Sequence, residues 1–264
     1  MKYQEIVKEV ISAAQRAGDF IAGERGKLSQ DNIETKGLHD HVTYVDKTAE
    51  QMLVDMLGEI LPQAGFIVEE GTSTKVGESY QWIVDPLDGT SNFIHDFGPF
   101  AVSIALMDSH NQIVVGVVHE VTTGETYYAW QGSSAYCNDR VITVSGTETL
   151  TDAMIGTGFP YNEYSRLDAH VQALAHFLRV GRGIRRLGSA ATDICYVACG
   201  RFDAFWEYNL SPWDCAAATL ILQQAGGHVA DFSGGDNYIF GKQLMAANKH
   251  LAKEFFQTVS GYFA

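Results

Sequence analysis

The chain has 264 residues, 46% of them hydrophobic and 19% charged, which is the composition of a packed globular protein rather than of a disordered or collagen-like chain. Its net charge of −14, from 18 Lys and Arg against 32 Asp and Glu, disfavours binding to nucleic acids and to anionic membranes. The chain has four cysteines but no C-x-x-C pair, its first residues do not resemble a signal peptide, and it lacks an apolar run of about 18 residues. We therefore predict a cytoplasmic protein without a membrane segment.

The first half of the chain begins with two predicted amphipathic helices and continues as a predicted antiparallel meander. Apolar residues recur at helical spacing from Ile6 to Ile21 and again from Ala49 to Leu61, where the second helix follows Asp46 and ends near Pro62. Short β-rich runs separated by Gly, Asn and Asp turns follow; we predict strands over 82–84, 101–107, 112–121, 125–130 and 141–144.

The second half alternates strands with helices. The predicted strands lie near 153–157, 202–208, 228–232 and 243–247, and the predicted helices near 165–178, 189–199, 213–225 and 249–259. Such alternation implies a sheet covered by helices on both faces. Since no Pro-rich, Ser-rich or charged linker divides the halves, we expect two closely packed subdomains, residues 1–148 with the antiparallel sheet and residues 149–264 of α/β type.

The segment 82–90, Trp-Ile-Val-Asp-Pro-Leu-Asp-Gly-Thr, carries the clearest chemical signal. An apolar strand should bring Asp85 to its carboxyl end, where Pro86 stops the ladder and Asp88-Gly89 turns the chain into a helix near Thr90. Two carboxylates three residues apart, with the Leu87 carbonyl between them, are hard oxygen ligands that suit Mg²⁺. The alternative for this short pattern is an ordinary turn.

Four further carboxylates have ordinary structural explanations when taken singly. Glu69 and Glu70 end an apolar run, where acidic residues are commonly solvated. Asp46 and Asp214 each stand at the first turn of a predicted helix, where an acid interacts favourably with the helix dipole. Their functional interpretation therefore depends on the whole set.

The set as a whole resembles the inositol monophosphatase family of lithium-sensitive, metal-dependent phosphatases. The resemblance covers about residues 36–248 and is strongest over 82–93 and over Trp213-Asp214-Cys215-Ala-Ala. It implies a layered αβαβα fold of α+β or α/β class, an active site between the subdomains, two or three Mg²⁺ ions and a homodimer. The implied activity is hydrolysis of myo-inositol monophosphate, a small phosphate monoester, without nucleic-acid or membrane partners.

The resemblance also implies a role for each matching position. The metal ligands are expected at Glu69 rather than Glu70, and at Asp85, Leu87, Asp88 and Asp214. Catalysis is expected to use Asp46 and Thr90, which handle the attacking water, together with Glu69. Substrate contacts are expected from Asp88, Gly89, Thr90, Gly188, Ser189, Ala190, Glu207 and Asp214.

Related activities share the metal motif, and three of them are alternatives: fructose-1,6-bisphosphatase, 3′(2′),5′-bisphosphate nucleotidase and histidinol phosphatase. A non-catalytic regulator that retains the fold is an alternative of another class. The sequence contains no G-x-S-x-G, H-E-x-x-H, G-x-x-x-x-G-K-[ST] or G-x-G-x-x-G motif. His39 and His41 bracket Asp40, but an exposed loop pair is favoured over a metal site there.

Overall fold

The structure is a computed structural model that describes residues 2–28, 33–37 and 40–264. The helices are α1 (Tyr3–Glu24), α2 (Tyr44–Ile60), α3 (Thr90–Ile94), α4 (Leu167–Val180), α5 (Ala190–Ala198), α6 (Pro212–Gln224) and α7 (Ala252–Phe263). The strands are β1 (Ile33–Gly37), β2 (Asp40–Thr43), β3 (Gly65–Val68), β4 (Tyr80–Asp88), β5 (Ala101–Asp108), β6 (Ile113–Glu120), β7 (Glu125–Trp130), β8 (Ala135–Cys137), β9 (Arg140–Ile142), β10 (Met154–Thr157), β11 (Gly183–Arg185), β12 (Ala204–Tyr208), β13 (His228–Ala230) and β14 (Gln243–Ala247). His39 lies outside the described residues, and the side chain of His41 is also outside them.

Two large sheets form the framework. The first has seven strands in chain order from β3 to β9, all antiparallel except the β3–β4 pair. The second has five strands in the order β11-β10-β12-β14-β13, with β10 parallel to both of its neighbours. The predicted meander is confirmed, and β1 and β2 form a separate two-stranded ribbon.

Alternation along the strands assigns the helices to layers. On β4, Trp82 and Val84 face the core shared with α1 and α2, whereas Ile83 faces the core shared with α5 and α6. On β12, Phe205 packs toward α5 and α6, whereas Trp206 packs toward α4 and α7. The order is therefore α1/α2, first sheet, α5/α6, second sheet, α4/α7, which confirms the αβαβα layering.

Helix α1 follows directly from its sequence pattern. The predicted apolar stripe is buried from Ile6 to Ile21, and each fully buried aliphatic side chain contributes roughly 1.5–3 kcal/mol. Helix α6 differs because eight consecutive residues, 215–222, are buried on all sides between the two sheets. A helix that is apolar all round belongs in an interior layer, and α6 forms that layer together with α5.

Several predicted boundaries were wrong. Strands β1, β2, β8 and β11 are missing from the prediction, and the last strand of the meander ends at Ile142 rather than at 144. The closing helix begins at Ala252 and extends to Phe263, beyond the predicted end at 259. Strands β8 and β11 have three residues each, which is too short to show a periodicity of two, so no local pattern marks them. Within the described residues, no helix combines the length and apolarity needed to cross a membrane.

Candidate functional site

A pocket of about 420 Å³ lies between the two sheets and collects residues from both halves of the chain. Of the positions predicted from the sequence, its wall contains Glu69, Asp85, Leu87, Asp88, Gly89, Thr90, Gly188, Ala190, Glu207 and Asp214. Asp46 and Ser189 do not line it. Both lie behind the wall and contact residues that do.

The end of β4 forms one side of the pocket. The prediction that Pro86 stops the ladder was wrong: β4 pairs with β5 at Asp85 and again at Asp88, with a register shift between them. This bulge accommodates a proline, because the bulged residues need not donate to the ladder. The Leu87 N–H instead donates to Asp85 Oδ1 over 2.9 Å, which turns the Asp85 carboxylate back along the loop.

Gly89 allows the chain to turn directly from this bulge into α3. Its φ is 99°, and a Cβ there would lie 3.0 Å from the Pro99 carbonyl oxygen, so both conformation and space favour glycine. The helix α3 begins at the next residue, Thr90, as predicted.

Thr90 connects the pocket wall to α2. Its hydroxyl lies 3.0 Å from Asp46 Oδ1 and 3.0 Å from the Leu87 carbonyl oxygen. The other oxygen of Asp46 accepts hydrogen bonds from the Thr43 N–H at 2.8 Å and the Thr43 hydroxyl at 2.6 Å. Asp46 thus caps α2 with one oxygen and contacts Thr90 with the other, so the structural and the functional explanations of this residue hold together.

Asp214 reaches the pocket from the start of α6. Its Oδ2 accepts a hydrogen bond from the Ser211 N–H over 2.7 Å in a capping box, and Pro212 occupies the first turn. The acid is again a helix cap that also lies in the pocket wall.

Glu69 follows β3 and is positioned by a buried acid that the sequence did not single out. Glu50 on α2 is fully buried and accepts hydrogen bonds from the Glu70 N–H at 2.7 Å and from the Thr72 N–H and hydroxyl, both at 2.8 Å. These contacts fix the backbone that follows β3. They also hold Glu69 at the pocket wall.

Asp88 is held by the N-terminus of α5. Its Oδ2 accepts from the Ser189 hydroxyl at 2.7 Å and from the Ala191 N–H at 2.8 Å. Burial raises the pKa of Asp88 to about 6, and these hydrogen bonds oppose the rise. Ser189, predicted as a substrate contact, therefore orients Asp88 instead of lining the cavity.

The carboxylates on this side influence one another strongly. Asp85 is only 2% exposed, and burial raises its pKa well above the usual value, reinforced by the charges of Glu69, Asp88 and Asp214. Burial also raises the pKa of Asp46. Within residues 2–28, 33–37 and 40–264, no three acidic, His or Cys side chains form a preformed metal cage.

The donor set nevertheless fits a hard divalent cation. Every wall group concerned is an oxygen donor: four carboxylates, and the carbonyl of Leu87 between two of them. Buried carboxylates that raise one another's pKa are stabilised when a cation replaces the missing solvent.

Glu207 on β12 also lines the pocket. Glu207 is 9% exposed, and burial, followed by the charge of Asp88, raises its pKa to about 8, while Arg186 acts in the opposite direction. Gly158 makes room for this carboxylate, because a Cβ at that position would lie within 2.1 Å of all three carboxyl atoms.

Comparison with known proteins assigns the chain to a family. The sequence profile of the inositol monophosphatase family matches residues 2–262. The chain belongs to the inositol monophosphatase family. An inositol-1-monophosphatase from Rhizobium meliloti is 38% identical over 254 residues, which are 96% of this chain and 95% of that protein.

Two further relatives carry the name SuhB. A putative Nus factor SuhB from Neisseria meningitidis serogroup B is 39% identical over 95% of this chain and 96% of its own length. The crystal structure of the extragenic suppressor protein suhB from Bartonella henselae superimposes with a TM-score of 0.92 at 37% identity, covering 97% of this chain and 98% of that one. Membership in the inositol monophosphatase family supports a phosphatase.

Several residues that line the pocket of this inositol monophosphatase family member were not among the positions predicted from the sequence. Arg186, Lys242 and Tyr161 line the pocket beside Glu207. Arg186 lies two residues before the predicted Gly188, which is the one signal that could have indicated it. Lys242 and Tyr161 stand in irregular segments, where no pattern marked them.

Proposed function

We propose that the chain is a Mg²⁺-dependent phosphomonoesterase that hydrolyses myo-inositol monophosphate to myo-inositol and phosphate. The observation that carries this proposal is the convergence of Glu69, Asp85, Asp88 and Asp214 on one pocket, in a chain of the inositol monophosphatase family.

In this proposal, the cations are two or three Mg²⁺ ions held by Glu69, Asp85, the Leu87 carbonyl, Asp88 and Asp214. Without them the pocket would reject its substrate, because two like charges about 4 Å apart at an effective dielectric constant near 20 repel by about 4 kcal/mol. Bound Mg²⁺ supplies positive charge that offsets the carboxylates and stabilises charge on the attacking and leaving oxygens.

The chain's own residues position the attacking water. The Thr90 hydroxyl donates toward Asp46 Oδ1, which leaves its oxygen lone pairs free to accept a hydrogen from water. Asp46 is fixed by α2, so the acceptor is held in place before the substrate binds. Glu69, on the same wall, accepts the second hydrogen of the water, which directs an oxygen lone pair at phosphorus.

The remaining positions hold the substrate. Gly89 and Thr90, which line the pocket, contact the phosphate group. Gly188 and Ala190, which also line it, contact the hydroxyl groups of the substrate. Ser189 acts through Asp88. Glu207 in the same pocket faces the inositol hydroxyls, and with a pKa of about 8 its carboxyl group can both donate and accept near neutral pH.

The test is phosphate release from inositol 1-phosphate with Mg²⁺ and with EDTA. Equal activity in both would reject the mechanism. A kcat/KM comparison with fructose 1,6-bisphosphate, 3′-phosphoadenosine 5′-phosphate and histidinol phosphate tests the substrate, and a tenfold advantage of any of these would overturn the inositol assignment. Asp88→Asn should lower kcat by about two orders of magnitude or more with the fold intact.

A second candidate is a non-catalytic regulator, which one observation favours: a relative with 39% identity is named a putative Nus factor. The intact acidic set argues for catalysis, because a binding module gains no evident benefit from mutually repelling carboxylates. If none of the tested esters releases phosphate in the presence of Mg²⁺, the non-catalytic regulator is favoured.

We further propose a cytoplasmic homodimer. The four cysteines are free, which suits a reducing compartment. Helix α4 leaves Leu167, Val171 and Leu178 exposed by 39%, 51% and 62%, an apolar stripe at helical spacing that a second copy would cover. Light scattering should give the dimer mass, and Val171→Glu should reduce it to that of the monomer.

A further inference from the structure

Asn92 lies behind the pocket wall on α3 and is 2% exposed, and the proposed reaction gives it no role. Its neighbours Thr90 and Ser91 line the pocket, whereas Asn92 does not. Burying an amide group is unfavourable unless its hydrogen bonds are made. The hydrogen-bond partners of Asn92 therefore indicate what this side chain holds.

Asn92 connects two segments that are far apart in the sequence. Its Nδ2 donates to the Pro99 carbonyl oxygen over 2.7 Å and to the Leu187 carbonyl oxygen over 2.8 Å. An amide nitrogen carries two N–H groups, and both are used here. Since both partners are acceptors, a side chain without these two donors cannot replace Asn92.

The hydrogen bond to Leu187 determines the orientation of the next residue, Gly188. The Leu187 carbonyl and the Gly188 N–H belong to one planar trans peptide group and point in opposite directions, so fixing one of them fixes the other. Gly188 has a φ of 91°, and a Cβ there would lie 3.1 Å from Asn92 Oδ1. The Gly188 carbonyl oxygen in turn would lie 3.2 Å from a Cβ at Gly89. Asn92 thus packs closely on Gly188 and also holds the peptide group that precedes it.

Asp88 holds the other end of the same segment. Its Oδ2 accepts from the Ser189 hydroxyl at 2.7 Å and from the Ala191 N–H at 2.8 Å. Residues 187–191 are therefore attached through Asp88 to the end of β4 and through Asn92 to α3. Because the end of β4 and the start of α3 carry the groups proposed to handle metal and water, direct contacts hold two functional parts of the wall together.

We propose that Asn92 is a positioning residue that fixes Gly188 relative to Thr90, so that the pocket holds the substrate hydroxyls at a set distance from the attacking water. This inference rests on the proposed function, in which Gly188 contacts the substrate hydroxyls and Thr90 the water. Asn92 acts through the Leu187 carbonyl. Its removal should therefore weaken recognition of the alcohol part of the ester more than cleavage of the phosphate bond.

The test compares two phosphate monoesters: inositol 1-phosphate, and 4-nitrophenyl phosphate, whose leaving group has no ring hydroxyls. The selectivity is kcat/KM for inositol 1-phosphate divided by kcat/KM for 4-nitrophenyl phosphate, both at saturating Mg²⁺. Asn92→Leu keeps the branched arrangement of heavy atoms but removes both donors. It should lower the selectivity by about tenfold, chiefly through KM for inositol 1-phosphate, and change kcat/KM for 4-nitrophenyl phosphate less than about threefold.

Two further variants separate positioning from a general loss of folded protein. Asn92→Ala removes both donors without adding bulk, and it should lower the selectivity as well. Asn248→Leu is the matched control, since Asn248 is also buried and its Nδ2 donates to the Thr147 carbonyl oxygen at 2.9 Å, but it does not line the pocket. Asn248→Leu should lower the stability and leave the selectivity at the wild-type value.

Hydrogen exchange followed by mass spectrometry tests the positioning without turnover. In both Asn92 variants, peptides covering residues 186–191 should exchange faster than in the wild type, while those from α7 should be unchanged. An equal loss of kcat/KM for both esters, or unchanged exchange over 186–191, would overturn the positioning role. If the wild type hydrolyses neither ester with Mg²⁺, the proposed phosphatase is wrong, and faster exchange over 186–191 in the variants would still support the positioning of Gly188 by Asn92.

Discussion

Replacing Gly158 with alanine places a methyl group where the Glu207 carboxyl group lies. The new Cβ would be 1.9 Å from Cδ, 1.9 Å from Oε1 and 2.1 Å from Oε2 of Glu207. The φ of Gly158 is outside the left-handed region, so the backbone itself accepts alanine. The whole perturbation therefore falls on Glu207, which must leave its position.

The size of the effect follows from packing and from hydrogen bonding. Forcing an extra methyl group into a packed site costs roughly 1–3 kcal/mol of folding stability. If Glu207 holds substrate hydroxyls, losing one hydrogen bond to its mostly protonated carboxyl group near neutral pH costs about 0.5–1.5 kcal/mol, which lowers kcat/KM roughly 2- to 13-fold.

The assays are urea unfolding followed by circular dichroism and phosphate release in Mg²⁺. Gly58→Ala is the matched control, because Gly58 lies in α2 with no atom within 4 Å of its ideal Cβ, and alanine there should stabilise the chain by about 0.5–1 kcal/mol. In a Glu207→Ala background the clash is gone, so adding Gly158→Ala should have little further effect. If Gly158→Ala lowers stability and kcat/KM by as much in the Glu207→Ala background as in the wild type, a clash with Glu207 is not the cause of the effect.

Three further predictions concern other buried polar groups. His170 is 2% exposed, and burial lowers its pKa to about 4, so the unfolded chain binds a proton at this residue before the folded chain does as the pH falls from about 6.5. The free energy of unfolding should therefore drop by up to roughly 3 kcal/mol between pH 6.5 and pH 4. His170→Leu should show a shallower dependence of the free energy of unfolding on pH. Asp46→Asn should keep most of the α2 cap but lower kcat by about 10²- to 10⁴-fold, whereas an unchanged kcat would separate Asp46 from the attacking water. Ser189→Ala removes one of the hydrogen bonds to Asp88 and should raise the Mg²⁺ concentration for half-maximal activity by about tenfold with saturating kcat retained; unchanged Mg²⁺ dependence would contradict the positioning role.

Periodicity was sufficient for the long elements because burial on one face determines them. The apolar stripe of α1 and the alternating strands of the meander are local patterns, and the structure confirms them. The path of the chain at Pro86 could not be read in this way, since the Leu87 N–H is satisfied by the Asp85 side chain and pairing resumes beyond the bulge.

The candidate site was predictable where a motif fixes residue order, and less so where tertiary packing decides which side chain faces the cavity. Ser189 belongs to the segment predicted to touch substrate, yet its hydroxyl points at Asp88. Glu50 carries no motif because its role is to hold backbone N–H groups after β3. Arg186 and Lys242 are 56 residues apart by their numbers in the sequence, and only the fold brings them to one pocket.

Helix α6 lies so close to the first sheet that a Cβ at Gly116 of β6 would be 2.5 Å from the Ala217 carbonyl oxygen. Asp214 at the start of this helix is therefore held against the same sheet whose strand β4 carries Asp85 and Asp88, and substitutions along this contact are poorly tolerated. Apart from Gly158, which Glu207 constrains, the irregular segment 159–166 that follows β10 is exposed or half-buried throughout, and Phe159 within it is 42% exposed. Substitutions in the exposed segment can thus change which substrate the pocket binds, while the residues that cleave the phosphate ester stay in place.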